Sequence, residues 1–238
     1  MKKIHTDAFE NNSIKVPFVV PNIEPSDKHA IEIALKSTLL TDGPILKKFE
    51  SAFSKFTGSK YAIGVSNATS ALHLSLKSVG IEKDDEVIIP NITFVATANA
   101  VLHTGATPVL VDVNDNDINI SIKSIEESIT EKTKAIIPVH FAGKSCDMSA
   151  IQKLAKKNNL EIIEDCAHAI ETEFHGRKAG TFGDFGCFSF YVTKNVVTAE
   201  GGMAVTKNKE LADQLTVYAL HGMSKDAWKR FGDDGYKH

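Results

Sequence analysis

The sequence has no apolar run approaching the length of a membrane span, and its N-terminus, MKKIHTDAFENN, lacks the apolar core of a signal peptide. Both absences lead to the expectation of a cytosolic protein. One-sided charge is also missing. The 27 Lys and Arg and 30 Asp and Glu are interspersed and leave a net charge of −3, so there is no basic stripe and nucleic acid is not the expected partner. Cysteine is scarce: Cys146, Cys166 and Cys187 show no CxxC spacing, which argues against a disulfide framework or a zinc site and makes them candidate core residues. Neither GxGxxG nor GxxxxGKS occurs, which disfavours a dinucleotide site and a P-loop. No repeat or low-complexity tract is visible.

What is present is enough apolar material, 42% of 238 residues, to bury a core in one large α/β domain or two small ones. Apolar runs of strand length alternate with segments of helical period, the pattern of a mainly parallel sheet covered by helices. Ser26 is a candidate cap for a helix through about Leu40, and ILKKFESAFSKFTG reads as a second helix stopped by Gly58. Strands are expected at YAIGV (61–65), DEVIIP (85–90), TPVLVDV, AIIPVH, LEIIED, CFSF and GMAVT. The intervening helices are expected at 69–80, near 93–103, from Ser121, and around 149–157. Gly201 and Gly202 read as a turn into GMAVT that uses glycine's access to positive φ.

Ligands of open α/β sheets bind beyond the carboxyl ends of the strands, so those ends carry the search for function. SNATS follows YAIGV and opens a helix; its backbone N–H groups and the hydroxyls of Ser66, Thr69 or Ser70 can hold a phosphate, or the same residues can simply cap the helix. Asp165 ends an isoleucine-rich strand, where a carboxylate needs a cation or several donors unless it caps the next turn. Ser189 lies in the Phe-rich strand and Lys194 five residues beyond it. Taken singly these read as a buried serine and a solvated loop lysine. Together, a phosphate-binding turn, a strand-end aspartate, a hydroxyl and a lysine are what pyridoxal 5'-phosphate requires.

The ordered segments TDGPILKKFE, GVSNATSALHLSL, DEVIIPNITFVATANAVLHTGATPVLVDV, PVHFAGKSCDM, EDCAHA and GTFGDFGCFSFYVTKNVVTAEGGM span nearly the whole chain. The combination resembles the DegT/StrS-type sugar aminotransferases, fold-type I pyridoxal phosphate enzymes of the aspartate aminotransferase superfamily. The resemblance implies a three-layer α/β/α large domain with a mainly parallel mixed sheet. Residues 1–25 would be an N-terminal segment and 26–238 the cofactor-binding domain, truncated before the smaller C-terminal domain that such enzymes carry. It implies Lys194 as the Schiff-base lysine, Asp165 as partner of the pyridinium nitrogen and His168 in place of a glutamine near the ring hydroxyl. Ser189, Ala68 and Thr69 would bind the phosphate, the last two by their amides and Thr69 also by its hydroxyl. Phe94 would stack on the cofactor ring; without the resemblance it reads as a core phenylalanine.

The implied activity is transfer of an amino group from an amino acid, usually glutamate, to a keto-sugar nucleotide, for an aminosugar of surface polysaccharide or a secondary metabolite, by a homodimer. His221, Lys225, Lys229 and Arg230 are candidates to meet a nucleotide diphosphate, or equally a solvated helix face. Related dehydratases carry histidine in place of the lysine, so Lys194 argues against that reaction. The competing reading of a chain without the small domain is a non-catalytic remnant or an interaction protein.

Overall fold

The computed structural model describes residues 19–223. Two helices open it, α1 (Pro25–Leu35) and α2 (Pro44–Thr57), and then strands and helices alternate. In chain order these are β1 (Tyr61–Val65), α3 (Ala68–Ser78), β2 (Glu86–Pro90), α4 (Ala96–Thr104), β3 (Thr107–Val111), α5 (Ile122–Ser128), β4 (Thr133–Ile136), α6 (Met148–Asn158) and β5 (Glu161–Asp165). A short hairpin of β6 (Glu173–Phe174) and β7 (Arg177–Lys178) precedes β8 (Phe185–Ser189), β9 (Gly202–Thr206) and α7 (Lys209–Ala219).

Seven strands form one sheet in the order β1-β9-β8-β5-β4-β2-β3. Only β9 runs against its neighbours, β1 and β8; the other pairs are parallel. The mainly parallel mixed sheet expected from the sequence is therefore the one observed. Side chains of successive strand residues point to opposite faces, and the core divides accordingly. Val87, Ile89, Ala135, Ile137, Ile163, Phe185 and Cys187 pack with α3, α4 and α7 on one face. Ile88, Ile136 and Ile162 pack with α5 and α6 on the other, where Phe53 of α2 meets Phe188, Met203 and Val205. The three cysteines are free and buried in these layers, as expected of core residues. Among the described residues, no helix is long and apolar enough to cross a membrane.

Two helix boundaries depart from the sequence expectation. Ser26 lies inside α1 and the N-cap is Glu24, whose N–H is taken by Asp27 Oδ2 at 2.9 Å. The helix stops at Leu35, short of Leu40, because Ser37 Oγ accepts the Leu39 N–H at 3.2 Å and draws the chain into a turn. Gly58 ends α2 as expected, in the left-handed conformation at φ 74°. The reason given for Gly202 is corrected: its φ is not positive, and glycine is needed there because a Cβ would lie 2.4 Å from the Asn67 carbonyl carbon and 2.8 Å from Ala68 N. Gly201 likewise leaves room for Thr198, whose Oγ1 would stand 2.3 Å from an added Cβ. Strand β9 thus lies directly against the turn that starts α3.

Candidate active site

The carboxyl ends of β1, β2, β4, β5 and β8 surround a cavity of about 500 Å³. All seven residues singled out from the sequence line it: Ala68 and Thr69 after β1, Phe94 after β2, Asp165 and His168 from β5 onward, and Ser189 and Lys194 from β8 onward.

At the β1 end the chain turns sharply into α3. Asn67 is the N-cap, its Oδ1 accepting the Ser70 N–H at 2.8 Å. That bond leaves the first two helical N–H groups, of Ala68 and Thr69, without an intrahelical acceptor, at the positive end of an 11-residue helix beside the cavity. The hydroxyls of Ser66 and Ser70 pair with each other at 3.1 Å and line a neighbouring cavity instead. Of the three hydroxyls left open by the sequence, Thr69 is the one in the site.

Asp165 is 6% exposed. Burial pushes its carboxyl above the ordinary range, opposed by the Ala167 N–H on Oδ1 (3.1 Å) and the Thr97 hydroxyl on Oδ2 (3.0 Å). Lys194 is half-buried on the loop after β8, its N–H bonded to Tyr191 O at 2.9 Å. Desolvation lowers its amine pKa and Asp165 offsets part of that. Among the described residues its Nζ has no hydrogen-bond or ion-pair partner. His168 is lowered by burial and by the facing Lys194, with Asp165 opposing, which keeps the ring neutral. Ser189 Oγ accepts the Tyr191 N–H at 3.4 Å, a long bond that leaves its proton free. Phe94 is 76% exposed, which removes the core-phenylalanine reading and leaves its ring as a wall of the cavity.

Beneath this layer lies a group that the sequence pattern does not reveal. Glu164 has no exposed surface, yet its carboxylate is fully engaged: Phe182 and Gly183 N–H donate to Oε1 at 2.7 Å, and Gly180 N–H (2.8 Å) and His140 Nε2 (3.0 Å) to Oε2. Glu164 favours a charged imidazole, but the Cys146 N–H points at His140 Nδ1 at 3.2 Å and fills its lone pair. The ring is held as the neutral Nε2–H tautomer. Cys166 stands close to both, its thiol pushed up to about 12 by burial. Each lone pair of His140 and Glu164 is thus committed within the protein, so this trio offers no open set of ligands to a metal ion.

His221 does not line the cavity; Lys225, Lys229 and Arg230 lie outside the described residues. The residues missed by sequence reasoning are Thr97, Glu164 and His140. The first had a signal, since TFVAT places Thr97 one turn from Thr93 on the loop that carries Phe94.

A flat aromatic cofactor bearing a phosphate fits this donor set: two free helix amides and hydroxyls for the phosphate, a buried carboxylate for a cationic nitrogen, an exposed phenyl face for a ring and an unpaired amine for a carbonyl. A model of the DegT/DnrJ/EryC1/StrS aminotransferase family matches residues 21–237. The chain belongs to this family. The spore coat polysaccharide biosynthesis protein SpsC of Bacillus subtilis is 46% identical over 220 residues, covering 92% of this chain and 57% of SpsC. The structure of an aminotransferase from Psychrobacter cryohalolentis superposes with a TM-score of 0.87 at 37% identity, over 93% of this chain and 57% of that one. A Streptococcus pneumoniae structure described as a sugar aminotransferase in its PLP form gives 0.84 at 33% identity, over 87% and 58% of the two chains. The same pneumococcal protein is also known in a PMP form. Family members thus bind pyridoxal phosphate, and this aminotransferase-family chain spans a little under three fifths of the length of these relatives.

Proposed function

We propose that this protein uses pyridoxal phosphate to move an amino group from an amino acid, glutamate in the first instance, to a keto-sugar nucleotide, in the making of an aminosugar for a surface polysaccharide. One observation carries the proposal: Lys194, Asp165, Ser189, Phe94 and the amide end of α3 line a single cavity, although they come from four separate strand ends. SpsC, named for spore coat polysaccharide biosynthesis, and the relatives described as aminotransferases support the reaction class and the sugar substrate.

In this assignment the N–H groups of Ala68 and Thr69 and the hydroxyls of Thr69 and Ser189 would hold the phosphate. Asp165 would pair with the ring nitrogen and favour its protonated form, Phe94 would offer its exposed face to the ring, and His168 would be the neighbour of the ring hydroxyl. When bound, pyridoxal phosphate supplies an electron sink that weakens the C–H bond beside an attached amine. Lys194 does the rest of the work at Nζ. Its lowered pKa leaves more free amine for attack on a carbonyl at neutral pH than an ordinary lysine has, and the same amine, when free, would be able to take and return a proton. A homodimer belongs to the same proposal, and α1 supports it: it has no buried residue, and Ile31, Ile33 and Leu35 are each more than half exposed.

The reaction is tested in halves. Protein loaded with pyridoxal phosphate and given glutamate should release 2-oxoglutarate and lose its visible absorption band, and a 4-keto sugar nucleotide should then restore the band and appear as the amino sugar. Failure to release a keto acid from any of the common amino acids would overturn the proposal.

A further inference from the structure

Thr97 is the second residue of α4 and has no exposed surface. Its hydroxyl lies 3.0 Å from Asp165 Oδ2 and 2.7 Å from the hydroxyl of Thr93, one helical turn before it on the cavity wall. A hydroxyl has one proton. An ionised carboxylate only accepts, so the Thr97 proton goes to Asp165, and Thr93 must then donate to Thr97. The two O–H dipoles form a chain running from the cavity wall to the carboxylate, each strengthening the other. We infer that Thr97 is a positioning residue for Asp165: it occupies Oδ2, favours the ionised carboxylate in a buried place and, with the Ala167 N–H on Oδ1, fixes the rotation of the group relative to the cavity. The loop that presents Phe94 to a cofactor ring therefore also sets the carboxylate that would face the same ring's nitrogen. Its bearing on the cofactor rests on the function proposed above; the hydroxyl chain itself does not.

Other titratable groups around Asp165 are Lys194, whose charge favours that of Asp165, the neutral imidazoles of His140 and His168, and Glu164, Cys166 and Cys187, beside which it lies in the sheet. None of them occupies Oδ2. Removal of the Thr97 hydroxyl by Thr97→Val, close in shape, should therefore raise the Asp165 titration midpoint by about one pH unit, the tenfold change that loss of a charge-assisted hydrogen bond brings. Thr97→Ser should restore it.

The test has two arms. In protein without added cofactor, ¹³C-carboxyl NMR of aspartate-labelled samples follows the midpoint, with Asp165→Asn assigning the resonance; an unchanged midpoint in Thr97→Val overturns the inference. In the second arm, titration with pyridoxal phosphate should show about a tenfold weaker dissociation constant for Thr97→Val and a value near wild type for Thr97→Ser. A Thr97→Ser variant as weak as Thr97→Val would mark a packing role and overturn the inference. If Thr97→Val does not fold, Thr93→Val, which breaks the chain one step earlier, carries the same expectation at about threefold. A midpoint shift in Thr97→Val, alongside a wild-type protein that binds no pyridoxal phosphate, would keep the hydroxyl chain and sink the proposed function. Tight binding that Asp165→Asn weakens while both Thr97 arms stay flat would do the reverse.

Discussion

Glu164→Gln exchanges one oxygen for an NH2 group inside a carboxylate that has no exposed surface and four donors aimed at it. Whichever way the amide turns, its NH2 group faces two donors, either Phe182 and Gly183 N–H or Gly180 N–H and His140 Nε2. His140 cannot relieve the second arrangement by moving its proton to Nδ1, because the Cys146 N–H already points there. Two buried donors without acceptors cost about 1–3 kcal/mol each, so the loss should be about 2–6 kcal/mol. That is a large share of the stability of an ordinary domain. Urea unfolding followed by far-UV circular dichroism should show a lower midpoint with an unchanged slope. Because β5 runs from Glu164 straight into Asp165, affinity for pyridoxal phosphate should fall as well. A stability loss under about 1 kcal/mol would refute the claim that this carboxylate organises the turn at 180–183 and the strand end beside it.

Gly202→Ala should push β9 off the Asn67–Ala68 turn, at a cost of about 1–3 kcal/mol in unfolding experiments, and weaken pyridoxal phosphate binding more than its effect on stability accounts for; retained affinity would show that the turn tolerates the shift. Thr69→Val and Ser189→Ala should each weaken binding about tenfold, whereas Ser66→Ala, whose hydroxyl pairs with Ser70 beside the neighbouring cavity, should leave it unchanged. Equal affinity in all three variants would remove the Thr69 and Ser189 hydroxyls from the phosphate site. Competitive acetylation of cofactor-free protein at a series of pH values, read by peptide mass spectrometry, should show Lys194 half-reacted at a pH below the ordinary 10.5, because its free-amine form appears as pH rises through a lowered pKa. A midpoint at 10.5 would place the amine in bulk water.

Much of the fold could be read from local pattern. YAIGV is β1 residue for residue, and Ser121 caps α5 where expected, its Oγ accepting the Ser124 N–H. The misses have physical causes. The strand expected through AIIPVH is assigned only to Ile136, although Ile137 N still bonds to Ile88 O at 2.8 Å, because Pro138 has no N–H to continue the ladder. The two-residue strands of the β6–β7 hairpin are too short for a period to show. The α7 helix, with only Ala212 and Leu215 buried, follows a run of strand character and was not expected.

The site was legible where chemistry sits at strand ends: Asp165, Ser189, Lys194 and the turn before α3 can be picked out because the carboxyl edge of such a sheet gathers its loops. Its supports were not legible. Thr97 reaches Asp165 across 68 residues and His140 reaches Glu164 across 24, and no local pattern encodes a hydrogen bond between distant segments. Gly202 looked like a turn glycine because its closest contact, the Asn67–Ala68 backbone, is likewise remote in sequence.

The central claim is that the unpaired amine of Lys194 meets the carbonyl of pyridoxal phosphate in the cavity that Asp165 and the amide end of α3 share. Its most direct measurement is to incubate the protein with pyridoxal phosphate, reduce with borohydride, digest and locate the added mass by tandem mass spectrometry. The account predicts a visible absorption band that reduction abolishes, with the label on the peptide containing Lys194 and no label in Lys194→Ala, whose thermal unfolding should match wild type because the side chain lies on a half-buried loop. A label on another lysine, or a protein that takes up none, would contradict it.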